Sequence, residues 1–249
     1  MRLIINADDC GRTAEVDRAI EHCIIAGKIT STTIMANMED YDAAIKLYNK
    51  YNNRISFGCH LNVTEGEPIL YNQELLDFGY YTSSGGRVLF NGDIYRNKIL
   101  PNRICKGIYE ELCAQIEKLL DSGVSITHLD SHHHIHTSPS LLTVFPRIVS
   151  KYGIRKVRRV RNFVPGMIKR LPRNLWPLLW QRNLCSPIIF TDYFADVFDF
   201  VNHQDYGINT YGKVIELMCH PGGTNPKECE LFEKLHIDKD IKLVNYEAI

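Results

Sequence analysis

The feature that most constrains the fold of this chain is a strand–helix alternation in its first 63 residues. Arg2-Leu-Ile-Ile-Asn-Ala7 is a short apolar run suited to a strand. Thr13 can cap a helix from Ala14 to about Ala26, and Gly27 stops it. Ser31–Ala36 is a β-branched second strand, Tyr41–Tyr51 a second helix and Ile55–Val63 a third strand. The order βαβαβ implies parallel strands joined by right-handed crossovers. A chain of 249 residues with 45% apolar content can bury a large core and has the usual size of an α/β barrel. The expected fold is therefore α/β, of the TIM-barrel-like (β/α) barrel kind, in a single domain over residues 1–249.

Residues 65 to about 103 interrupt the rhythm as an irregular insertion. They are rich in Tyr, Gly and Pro, and Tyr80–Phe90 has the pattern of a hairpin. An insertion of this length is more often a lid or functional loop than a plain connection. Tyr71, Tyr80, Tyr81 and Tyr95 suit either stacking on a sugar or packing on the barrel. Alternation resumes with a helix from Lys106 to about Asp121, a His-rich strand, and a helix from Ser140 to about Tyr152. Lys156–Arg161, Ile188–Phe190 and Val214–Cys219 are further strand candidates, with a poorly periodic segment to about 187 between the first two. A short helix over Glu228–Leu235 and a closing strand at Lys242–Asn245 complete the chain.

The densest chemistry lies in Thr127-His-Leu-Asp-Ser-His-His-His-Ile-His136, which holds five of the ten histidines. Neutral imidazole and carboxylate bind divalent metals and move protons near neutral pH. On a strand, His128, Asp130, His132, His134 and His136 would share one face. A surface metal-scavenging tract would more often be a pure His repeat in a polar tail; this run is mid-chain and follows an apolar strand. Three more motifs keep its phase: Asp8-Asp9, Gly58-Cys-His60-Leu-Asn62 and Met218-Cys-His220-Pro-Gly222. Each falls at the carboxyl end of an expected parallel strand, where an α/β barrel builds its site. A lone Asp-Asp is often a helix-capping pair and a lone His a satisfied core residue. Four such motifs in phase argue for a site.

Two histidines and a carboxylate leave a divalent metal with open positions for water and a substrate oxygen. The candidate ligands are one of Asp8 or Asp9, His60, and one of His128 or His132. Adjacent strand residues face opposite ways, so both aspartates reach the site only if the strand ends there, a turn that Gly11 permits. One aspartate can then bind the metal while the other accepts a proton and His220 donates one, which together suit hydrolysis of an unreactive bond such as an amide.

In order along the chain, Ile-Ile-Asn-Ala-Asp-Asp, Gly-x-His-Leu-Asn, Thr-His-Leu-Asp-Ser-His-His-His-Ile-His and Met-Cys-His-Pro resemble the YdjC/ChbG family of carbohydrate deacetylases over residues 4–222. The resemblance implies a distorted (β/α) barrel related to polysaccharide deacetylases, acting on N-acetylated oligosaccharides such as chitooligosaccharides. It implies Asp9, His60 and His132 as ligands of a divalent metal (Mg or Zn), Asp8 as general base and His220 as acid. His128 and Asp130 become groups that orient a ligand or the substrate. Cys10 stands where the family commonly has an aromatic, and the tail after His220 is short.

Zero net charge and a pI near 7 point to neither nucleic acid nor a membrane. The basic run from Lys151 to Ser186, with ten Lys or Arg and no acid, is most simply a solvated face. The N-terminus lacks the features of a signal peptide. The eight cysteines form no C-x-x-C pair, so free thiols in a reducing cytoplasm are expected, with Cys59 and Cys219 as buried apolar residues. A homo-oligomer is left open. Two rival readings are a non-haem iron oxygenase, built on His128-x-Asp130 with a distant His220, and a metal- or sugar-binding protein without catalysis.

Overall fold

The computed structural model describes residues 1–92, 100–163, 180–182, 184, 187–202 and 209–249. Four strands of the first alternating units and their continuation form the frame: β1 (Arg2–Cys10), β2 (Ser31–Ile34), β3 (Ser56–Leu61), then β6 (Leu129–Ser131) after the hairpin β4 (Tyr81–Ser84) and β5 (Arg87–Phe90). β7 (Tyr193–Asp196), β8 (Val214–Cys219) and the short β9 (Lys242–Leu243) follow. The main sheet has the order β6-β3-β2-β1-β8-β7, with β9 paired to the start of β1, and its pairings are all parallel. It curls into a half-barrel surrounded by helices. β1, β2, β3 and β8 are buried along almost their whole length, as parallel strands covered on both faces must be.

The helices form where caps and apolar spacing agree. Thr13 caps α1 (Ala14–Ile25) by accepting from the Val16 N–H, and Gly27 beyond its end takes φ +68°. α2 (Tyr41–Tyr51) has the bounds expected from its periodicity. After the short α3 (Gln73–Asp77), α4 (Asn102–Asp121) starts before the expected Lys106 and buries Ile104, Ile108, Leu112, Ile116 and Leu119 along one stripe.

The gap between β6 and β7 is bridged by residues 156–163. Arg158 N–H donates to the Leu129 carbonyl at 2.9 Å, and Phe163 N–H to that of Phe194 at 3.2 Å. The strand expected at Lys156–Arg161 is thus reduced to single bridges, Val157 to Leu129 and Lys156 to Ile189. Its polar side chains explain the loss: Arg158, Arg159 and Arg161 each turn to an acid or a carbonyl. The helix expected from Ser140 is a 3-10 turn at Pro139–Leu141 followed by α5 (Phe145–Tyr152). β7 lies just beyond the strand candidate Ile188–Phe190, of which Ile189 makes a single bridge to Lys156.

The insertion carries the expected hairpin, and its aromatics divide. Tyr80 and Tyr81 are buried and pack edge-on against Phe90, whereas Tyr71 is exposed; Tyr95 lies outside the described residues. Much of the basic run also lies outside them. Within them the solvated-face reading fails for Arg158, which is fully buried. Cys59 and Cys219 are fully buried, as expected. No described helix is long and apolar enough to cross a membrane.

The floor of the half-barrel is packed by His128, whose ring stacks on Tyr246 of the C-terminal turn at 3.6 Å between centroids. Gly58 makes room for it: a Cβ there would come within 2.6 Å of the imidazole. Gly58→Ala should therefore cost about 1–3 kcal/mol by overpacking, read as a lower denaturation midpoint. An unchanged midpoint would show that the ring can slide aside.

Candidate active site

The four motifs meet at the carboxyl ends of β1, β3, β6 and β8. A cavity of about 370 Å³ there is lined by Asp8, His60, Ser131, His132, His133, His134 and His220, and the buried Asp9 contacts two of these, His60 and His132. Asp8 and Asp9 both reach the site by a different route from the one expected. β1 continues through Cys10, but its register with β2 shifts between Ala7 and Cys10, and Asp9 itself takes φ +70°. A bulge with a left-handed residue turns two consecutive side chains to one side. Gly11, at φ +88°, completes the turn.

The His-rich run does not behave as one strand. β6 ends at Ser131, and a 3-10 turn follows in which His133 and His134 take φ +52° and +55°. Alternation therefore ends at Ser131, and the expectation that five side chains share a face fails. Their environments differ. His128 is in the floor, with Nε2 near Asn6 Oδ1 (3.3 Å) and Ser31 Oγ (3.4 Å). Asp130 and His132 reach the centre. His136 is buried against Arg158's carbonyl and Trp180. His133 and His134 form cavity wall. Among the described residues, His128 joins neither group that could hold a metal, so the oxygenase triad of His128, Asp130 and His220 is not assembled.

Asp9, His60 and His132 bring one donor atom each within 4.8 Å of one another, all buried. Asp9 Oδ1 lies 3.2 Å from His60 Nε2 and 2.9 Å from His132 Nδ1. Asp130 grips the other side of His60, at 2.7 Å from Nδ1. A carboxylate only accepts, so that bond puts the proton on Nδ1 and leaves Nε2 toward Asp9. Burial lowers the His60 pKa, but the Asp130 charge and hydrogen bond outweigh it and push it up to about 10. Burial raises Asp9, yet its bonds to His132 and His60 hold it well below the usual carboxylate range.

A second group, Asp8, His60 and Asp130, has similar spacing, but it already contains a cation. Arg158 donates to both oxygens of Asp8 (2.6 and 2.7 Å), lies 2.9 Å from Asp130 Oδ2, and donates Nε–H to Glu216 at 2.7 Å. Asn6 adds a bond to Asp8 Oδ1 at 2.8 Å. Burial would raise Asp8; Arg158 prevails and keeps it ionised far below neutral pH. On the far side His220 Nε2 lies 3.9 Å from Asp8 Oδ2. Glu228, at the start of the helix Pro226–Glu233, accepts from His220 Nδ1 at 2.8 Å and from its backbone N–H at 3.1 Å. Burial lowers the His220 pKa, but the Glu228 bond and the Asp8 charge leave it raised.

Arg158, Glu216, Glu228, Glu65 and Arg12 were not singled out from the sequence. Glu216 had a signal, a charged residue inside the apolar run Val214-Ile-Glu-Leu-Met-Cys219. Arg158 was masked by its basic neighbours.

The site predicts proton-coupled metal binding. With the His60 pKa near 10 in the metal-free protein, a cation displaces a proton at neutral pH, so affinity should rise with pH toward that value. Calorimetric titration in buffers of different ionisation enthalpy should report proton release at pH 7. Buffer-independent heats would contradict it.

Comparison with known proteins adds the lineage. Residues 2–247 match the family model described as "YdjC-like protein". A protein of Listeria monocytogenes serotype 4a named carbohydrate deacetylase is 32% identical over 89% of this chain and 81% of its own length. One of Vibrio campbellii with the same name is 30% identical over 89% of this chain and 78% of its own. A solved Enterococcus faecalis V583 protein, named for cellobiose-phosphate cleavage, superposes with a TM-score of 0.73 at 22% identity, over 99% of this chain and 98% of its own.

Proposed function

We propose that this chain, which belongs to the YdjC-like protein family, is a metal-dependent carbohydrate deacetylase that hydrolyses the acetamide of an N-acetylated, chitooligosaccharide-type sugar. The relatives' shared name supports the reaction class. The observation that carries it is the placing of the Asp9–His60–His132 donor set beside Asp8 and His220 on one cavity. A group that binds without catalysis has no need of either proton-transfer residue.

The donor set fits a divalent cation. Its three buried atoms converge, and two imidazoles with one carboxylate suit zinc, with magnesium the other candidate. When bound, such a cation supplies Lewis-acid activation of water and of the acetyl carbonyl. Asp8 takes the proton from the attacking water. Because Arg158 holds it so firmly ionised, it is a weak base and needs a strongly acidified donor. His220, steadied by Glu228, gives a proton to the sugar nitrogen as the C–N bond breaks, releasing acetate and the free amine. Asp130 orients His60, whereas His128 supports the floor below Asn6. We place the protein in the cytoplasm, where the seven described free thiols stay reduced.

Acetate release across a panel of N-acetylated mono- and oligosaccharides tests the reading. Chelator should abolish it, and metal-loaded protein without acetate release on any member would sink the proposal. Asp8→Asn should lower turnover by about 100-fold or more, the scale of a lost general base, with metal content unchanged; loss of metal instead would exchange the two aspartates' roles. His220 must be protonated to act, and its pKa is raised. Activity should therefore fall as pH rises through a His220 pKa displaced above that of an ordinary histidine. His220→Ala should slow turnover and remove that limb from the pH profile.

A further inference from the structure

Asn62 of the Gly58-Cys-His60-Leu-Asn62 motif takes no part in the reaction above, yet its side chain builds the loop that follows. Asn62 Oδ1 accepts from the N–H groups of Thr64 (3.0 Å) and Glu65 (3.2 Å) and from the Thr64 hydroxyl (3.1 Å). Its Nδ2 donates to the Glu65 carbonyl at 2.7 Å, and Asn37 Nδ2 donates to the carbonyls of Glu65 and Glu67. Gln115 on α4 accepts the Asn62 N–H at 2.9 Å. A loop closed on an asparagine in this way has little freedom to move, so Glu65 is held in a set place.

That place is beside a proposed metal ligand. Glu65 receives Arg12 Nε and Nη2 at 2.7 and 3.0 Å, a bidentate pair of the strong kind. Its Oε2 also lies 3.1 Å from His132 Nε2. The opposite nitrogen of that ring, Nδ1, is 2.9 Å from Asp9 Oδ1, and Arg12 Nη1 reaches Asp9 Oδ2 at 3.4 Å. His60 is held in a matching way with the nitrogens exchanged: Asp130 grips Nδ1 and Nε2 faces Asp9.

We infer that Glu65 is a positioning residue for metal binding, its carboxylate holding His132 by Nε2–H so that Nδ1 is turned toward Asp9, with Arg12 locking the carboxylate. The inference rests on the reading of Asp9, His60 and His132 as the metal site. A carboxylate can only accept, so its bond to His132 keeps the proton on Nε2 and leaves the Nδ1 lone pair for the cation. Partners of this kind orient ligand histidines and raise their basicity. If Glu65 served only to tie the loop to Arg12, its removal would loosen the loop and leave metal affinity alone.

Calorimetric titration of the full-length protein with zinc tests this, on wild type, Glu65→Ala, Glu65→Gln and His132→Ala. Glu65→Ala should bind zinc about 10–100-fold more weakly; Glu65→Gln, which keeps an acceptor but loses the charge, should fall between it and wild type. Long-range 15N spectra of the zinc-loaded wild type should show zinc on Nδ1 and a proton on Nε2 of His132. Wild-type affinity in folded Glu65→Gln, or zinc on His132 Nε2, would overturn the positioning role while leaving the metal site standing. No zinc binding by wild type, or undiminished binding by His132→Ala, would overturn the metal site and the inference together. Should Glu65→Ala not fold, the Gln variant and the spectra still decide.

Discussion

One buried guanidinium holds the floor of this site. Arg158 is fully excluded from solvent and contacts Asp8, Asp130 and Glu216, contributed by β1, β6 and β8. Three carboxylates could not be buried so close without a cation among them, since an unpaired buried charge costs several kcal/mol. The residue that pairs with all three arrives on the segment that bridges β6 and β7. Closure of the half-barrel and ionisation of Asp8 are therefore one structural event. The same cation pairs with both carboxylates of the lower donor group, Asp8 and Asp130.

Backbone strain is concentrated in the same place. Among the described residues, only Asp9, His133 and His134 adopt left-handed conformations without being glycine. Such residues cost on the order of 1–3 kcal/mol each and persist where the surroundings over-determine them. At Asp9 the compensation is visible: ion pairs to His60, His132 and Arg12 fix the carboxylate that the bulge turns inward. At His133 and His134 the left-handed pair reverses the chain after three residues of strand, so the run becomes a cavity wall rather than the rest of β6.

The layering of carboxylate behind imidazole recurs around the cavity. Asp130 stands behind His60 and Glu228 behind His220. Each of these two rings thus has one nitrogen committed to an acid and the other turned inward, which sets its tautomer and its basicity together. Opposite pKa tendencies follow across one cavity. His60 is pushed up by its acid, while His134, desolvated near Arg158 and with no acid hydrogen-bonded to it among the described residues, is pushed down to about 3.

The legible part of the protein was local. Helix caps such as Thr13, the period of Tyr41–Tyr51 and the apolar runs of β1, β3 and β8 need only neighbouring residues to specify them, so the parallel α/β order and the strand ends bearing Asp8, His60 and His220 followed from sequence. The His-rich run announced a site but not its shape, because alternation describes a strand only while the strand lasts, and it stopped at Ser131. Arg158 in a basic stretch, Glu65 past a motif and Glu228 in a short helix carry no local mark of their partners, which lie 150, 67 and 8 residues away respectively. Sequence alone determined which chemistry was present and which end of the sheet would bear it. Tertiary closure decided which histidines became donors, which became floor, and which cation sat beside Asp8, because those pairings exist only when distant strands bring buried charges together.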